Sequence, residues 1–142
     1  MLIKHVSILT ILSFIFHFLW ETLHLPLYTD YGELGGPLPI TIYATLGDAA
    51  YTLGAFFFIS LFKKTKKWIL EIEVSDYVGL LILGFCIALF VEYKALALDK
   101  WKYTIDMPLL FGIGISPLIQ MSFLLPLCFY CTNIILKKLY GK

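Results

Sequence analysis

The chain has 142 residues, 60% of them hydrophobic and only 15% charged, and its mean hydropathy is +0.86. A water-soluble domain of that make-up has too few polar side chains to cover its surface, so the composition points to an integral membrane protein. The net charge of +1 leaves no basic surplus for a nucleic-acid partner.

Crossing a hydrocarbon layer roughly 30 Å thick takes about 20 helical residues at about 1.5 Å each. Four apolar runs meet that length, at about residues 5–27, 40–62, 77–98 and 112–136. They occupy nearly the whole chain, so the predicted fold is all-α: a single four-transmembrane-helix bundle with no soluble domain.

The first run begins after Lys4 as a signal peptide would, but it has no small-x-small cleavage site. His17, Glu21 and His24 also stand where a signal's apolar core belongs, so a retained helix is expected. These three residues follow i, i+4, i+7 spacing, which places them within about 60° on one helix face, with Trp20 beside them. The loop that follows, TDYGELGGPLP, has Gly32, Gly35, Gly36, Pro37 and Pro39, which suit a turn-rich cap. On the second run Thr41, Thr45, Asp48 and Thr52 share a face, and Asp48 falls about eight residues, or roughly 12 Å, from the start of the span. Glu92 lies near the end of the third run. Ser116, Gln120 and Phe123 share a face of the fourth, where Pro117 suits the first turn and Pro126 a kink. Tyr28, Trp101 and Tyr103 fit interfacial anchors. Cys86, Cys128 and Cys131 lie in the apolar runs, where cysteine is ordinarily a small filler; CFYC matches a redox C-x-x-C but has no second pair to relay electrons.

Orientation rests on lysine, because arginine is absent. Lys4, Lys63, Lys64, Lys66, Lys67, Lys137, Lys138 and Lys142 gather on one side, against Lys94, Lys100 and Lys102 on the other, which predicts both termini in the cytoplasm. A multi-pass location in the cell membrane follows, most simply a bacterial inner membrane. In this topology every helix brings a polar group to the outer half of the bilayer. A carboxylate facing lipid costs about 2.5–3.5 kcal/mol on insertion scales, so Glu21, Asp48 and Glu92 are expected to turn inward and share one pocket.

Acid and base chemistry on a lipid is the first expectation. Desolvation favours the neutral form of a carboxylic acid, which then protonates a weak base such as an alkene. Glu21 or Glu92 is the candidate acid, and Asp48 or His17 the group that takes a proton elsewhere. Trp20, His24, Tyr43, Tyr51, Tyr93 and Gln120 are the candidate substrate contacts, the aromatic rings facing a developing cation. HFLWE, from His17 to Glu21, resembles the H-x-x-x-E of emopamil-binding-protein type sterol isomerases, which implies proton transfer at His17, Glu21 and Glu92. The stretch from Glu92 through Trp101 and Tyr103 to Ser116, Pro117 and Gln120 is similar in layout to the membrane lycopene cyclase repeat, though no acidic pair follows the proline here. The whole chain resembles an uncharacterised group of small bacterial four-helix membrane proteins with W-E…L-P-L-Y in the first helix, which implies no activity. The leading expectation is therefore an isomerase- or cyclase-like enzyme for an apolar, isoprenoid-type lipid, requiring no cofactor.

Two alternatives stay open. His17, Glu21, His24, Asp48 and Glu92 offer enough nitrogen and oxygen donors for a divalent metal such as zinc, though without an H-E-x-x-H spacing; haem is disfavoured because His17 and His24 share one face. A titratable Glu21 also suits a small proton-coupled transporter subunit, and the sequence leaves homo-oligomerisation and a purely structural role open.

Overall fold

The computed structural model describes residues 1–30 and 35–141 and is 76% helical. Four helices carry the chain: α1 (Leu2–His24), α2 (Pro37–Phe62), α3 (Val74–Ala97) and α4 (Ile115–Leu139). All four are long and apolar enough to cross a membrane. Part of the expected cap, Tyr31 to Leu34 with Gly32 among them, lies outside the described residues, as does Lys142.

The helix starts each differ from expectation by three residues, and for α2, α3 and α4 local chemistry accounts for it. Helix α2 starts early because Pro37 occupies its first turn, where a missing N–H costs nothing, after Gly36 at φ 141°. Helix α3 starts early through a capping box in which Asp76 accepts from the Glu73 backbone N–H at 2.9 Å; Asp76 also pairs with Lys63 at 2.7 Å. Helix α4 starts late because Leu109–Leu110 (β3) and Ile113–Gly114 (β4) form a hairpin first. Pro117 falls in the first turn of α4 and Pro126 inside it.

Helix α1 packs on α2 and α4, and α4 packs on α3, but α2 and α3 scarcely touch. The bundle therefore has one open seam. One end of it is plugged by Leu9, Phe56, Leu80, Leu125 and Phe129, all fully buried, and by Trp68, Ile69 and Leu70 of a short 3-10 turn. Trp68 stacks between Phe56 and Phe129, and its indole donates to Ser60 Oγ at 2.9 Å; Asn133 donates to the Ile69 carbonyl at 2.6 Å. The lysine-rich loop thus returns an apolar tripeptide into the core.

At the other end the two connecting loops are stitched together. Tyr28–Thr29 (β1) pairs antiparallel with Lys102–Tyr103 (β2), Thr104 N–H donates to the Leu27 carbonyl at 2.9 Å, and Lys102 meets Asp30 at 3.3 Å. This ladder fixes the loop aromatics over the bundle end.

Close approach of α3 and α4 depends on Gly84, where a Cβ would collide with the Met121 carbonyl, whereas Gly79 on the same helix has open space around it. Gly84→Val is expected to destabilise the fold by about 1–3 kcal/mol through this overpacking, and Gly79→Val by well under half of that. Thermal unfolding of both variants in one detergent checks the difference.

Candidate functional site

Below the stitched loops, the seam between α2 and α3 widens into a cavity of about 620 Å³. Its walls are mostly apolar and aromatic, with Tyr43, Leu46, Gly47 and Tyr51 from α2 facing Ile87, Ala88 and Val91 from α3. Four polar groups, Glu21, Asp48, Glu92 and Gln120, come to it from all four helices. Tyr43 and Tyr51 are exposed, at 57% and 37%, which marks the seam as the side on which the cavity opens.

Gln120 is the hub. Its amide nitrogen lies 2.8 Å from Glu21 Oε1, 2.8 Å from Asp48 Oδ2 and 3.2 Å from His17 Nδ1. An amide has two hydrogens, and the two carboxylate oxygens claim both. The His17 Nδ1, which is 3.2 Å from Asp48 Oδ2, then carries its own proton and donates to that carboxylate. Continuing outward, His24 Nε2 meets Glu21 Oε2 at 3.1 Å, and its Nδ1 meets Ser116 Oγ at 2.8 Å. A continuous chain of hydrogen bonds therefore runs from His17 through Asp48, Gln120 and Glu21 to His24 and Ser116. The carboxylates and Gln120 face the cavity, while His17 and His24 are buried and not among its lining side chains.

Glu92 stands on the opposite wall, 4% exposed. Both its donors fall on one oxygen: Tyr103 O–H donates to Oε2 at 2.5 Å and Trp101 Nε1–H at 3.2 Å. Among the described residues Oε1 has no hydrogen-bond partner, and Glu92 lines the cavity. Burial, and after it the contact with Glu92, pushes the Tyr103 phenol above the ordinary tyrosine range, so it keeps its proton and acts as a donor. Tyr28 is shifted the same way, by burial first and then by Glu92, and its ring packs edge-on against His24, Trp101 and Tyr103.

These contacts sort the sequence-derived candidates. His17, Glu21, His24, Asp48 and Gln120 form one network, Glu92 shares their cavity, and Tyr43 and Tyr51 line it. Tyr93 does not: it is 71% exposed and borders a shallow groove with Cys86, Leu89, Phe90 and Ile113. One residue past Glu92 is a rotation of about 100°, which carries Tyr93 outward. Phe123, 56% exposed, likewise turns away from Gln120. Trp20 is absent from the cavity wall; among the described residues its buried indole N–H has no hydrogen-bond partner, and neither has His17 Nε2. The threonine face of α2 is spoken for, because Thr41, Thr45 and Thr52 each donate to the carbonyl four residues back.

Tyr28, Trp101 and Tyr103, expected at the interface as anchors, instead surround Glu92. Their signal was the pairing of two loops, which has no periodicity to read. Lys94 and Lys100, counted only for orientation, also line the cavity.

The metal alternative gains nothing from this arrangement. The point where His17, Glu21 and Asp48 converge is filled by the Gln120 amide, and Glu92 belongs to a separate aromatic cradle. Among the described residues no three His, Cys, Asp or Glu side chains are arranged to hold an ion. All three cysteines are free thiols, with Cys128 buried and Cys131 half-buried. No protein-family model, curated protein or solved structure matches this chain.

Proposed function

We propose that this is an integral membrane enzyme that admits an unsaturated lipid through the α2–α3 seam and moves protons on it, in an isomerase- or cyclase-like reaction on an isoprenoid-type chain. The observation that carries this reading is one apolar cavity bounded on one wall by Glu92, whose Oε2 accepts twice while Oε1 has no partner among the described residues, and on the other by a hydrogen-bonded carboxylate network.

The hydrogen-bond pattern at Glu92 fits a neutral carboxylic acid whose carbonyl oxygen is Oε2, accepting twice, and whose hydroxyl is Oε1, free to donate into the cavity. Glu92 is then the general acid. The base lies across the cavity: Glu21 or Asp48 receives the proton lost from a neighbouring carbon, and the Gln120–His17–His24 chain holds those carboxylates in place. Protonation at one wall and deprotonation at the other shift a double bond without a cofactor. The developing cation passes between Tyr43, Tyr51 and Trp101, whose ring faces stabilise positive charge.

In the same reading the lysine asymmetry puts both termini in the cytoplasm and the cavity in the outer half of a cell membrane, most simply a bacterial inner membrane. Lipid then enters sideways through the seam. The resemblance of His17–Glu21 to the sterol isomerase motif is consistent with this placement. Transport is less well supported, because fully buried Leu9, Phe56, Leu125 and Phe129 close the bundle beyond the cavity and leave it one-sided.

The reaction class is tested without knowing the natural substrate. Purified protein is incubated in heavy water with polyunsaturated and polyprenyl lipids, and the lipids are analysed by mass spectrometry. Deuterium incorporation in a defined lipid, absent with heat-denatured protein, is the expected result; no incorporation into any lipid that binds would overturn acid and base catalysis.

A further inference from the structure

We infer that the lipid taken by this cavity carries a phosphate ester at its polar end, seated on Lys94 and Lys100. The inference rests on the reading of the cavity as a lipid site and goes beyond it by assigning the ligand's headgroup.

Lys94 and Lys100 both line the cavity. Neither has an ion-pair partner among the described residues, whereas Lys63 pairs with Asp76 and Lys102 with Asp30. The carboxyl groups of the cavity are otherwise engaged: Asp48 with His17 and Gln120, Glu21 with His24 and Gln120, and Glu92 with Tyr103 and Trp101. Among the described residues the two ammonium groups are thus the cavity's charges without an ion-pair partner.

Their position gives the ligand a direction. Lys94 is two residues beyond Glu92 toward the end of α3, about 3 Å along the axis, and Lys100 follows the helix end. Moving inward along α3, the wall passes from Lys94 to Glu92 and then to the apolar side chains of Ala88 and Ile87. An anion is attracted at the rim and repelled from the acids below it, so it stays at the rim while the chain lies inward along the seam. A neutral alcohol or hydrocarbon makes no use of the lysines. A phosphate ester does, and it holds the first few carbons of its chain beside Glu92, Glu21 and Asp48.

Binding in a neutral maltoside detergent, followed by native mass spectrometry, tests this with three probes: geranylgeranyl monophosphate, geranylgeraniol and inorganic phosphate. The phosphate ester is expected to bind on the order of tenfold more tightly than the alcohol, through the attraction of the two lysines for its charge. Lys94→Gln with Lys100→Gln should remove that preference and leave alcohol binding unchanged, whereas Lys137→Gln with Lys138→Gln, at the opposite end, should preserve it. Equal affinity for ester and alcohol, or a preference that survives loss of Lys94 and Lys100, overturns the headgroup assignment while leaving the lipid cavity intact. Inorganic phosphate that binds as well as the ester would reassign the rim to a soluble anion and also overturns it. Failure of both prenyl probes to bind overturns the lipid cavity itself, and the headgroup with it.

Discussion

Glu92→Gln should reduce deuterium transfer into lipid by about 10²–10⁴-fold, the usual worth of a positioned general acid, while leaving thermal stability and lipid binding near those of the unmodified protein. Glutamine keeps the shape of the side chain and a carbonyl oxygen that Tyr103 and Trp101 can still reach, so the cradle survives. What it loses is the acidic proton that the proposed reaction draws on. Tyr103→Phe tests the same wall differently. It removes the 2.5 Å donor but leaves the acid, so a smaller loss is expected, with the Trp101 bond still in place. Full activity in Glu92→Gln would transfer the acid role to the opposite wall.

The second large effect concerns stability. Gln120→Leu preserves approximate volume but removes the one nitrogen that lies within 2.8 Å of both Glu21 and Asp48. Two half-buried carboxyl groups then face an isobutyl group, Glu21 keeping only His24 and Asp48 only His17. Removing one hydrogen-bond partner from polar groups out of water costs about 1–3 kcal/mol, so a clear fall in unfolding temperature in detergent is expected. A change under about 0.5 kcal/mol would mean that the network is hydrated rather than held by Gln120.

Much of the fold was legible because it depends on composition and length. Four apolar runs of membrane-spanning length become four helices of that length whatever their tertiary packing. The network was legible for the same kind of reason: i, i+4, i+7 spacing puts His17, Glu21 and His24 on one face, and carboxyl groups in apolar runs turn toward one another. Asp48 and Gln120 follow from that rule.

Features set by loops escaped it. Nothing periodic announces that Tyr28 pairs with Tyr103, although that two-residue ladder is what brings Tyr103 and Trp101 to Glu92. The burial of Trp68, Ile69 and Leu70 was hidden by the four lysines before them, which read as a solvated loop. Adjacency misled for Tyr93, which follows Glu92 in the chain but faces away from the cavity. Local capping explains the shifted helix ends, since Pro37 and Glu73 begin helices ahead of the apolar residues from which the spans were counted.

A lipid occupying the α2–α3 seam is tested most directly at Gly47. This glycine lines the cavity wall, and a Cβ added there meets nothing within 4 Å, so Gly47→Trp is expected to place its indole in the cavity. Native mass spectrometry of the protein extracted from membranes in mild detergent should find a bound lipid in the unmodified protein and none in an equally stable Gly47→Trp. A variant that retains the lipid at the unmodified level would contradict the placement of the ligand between α2 and α3.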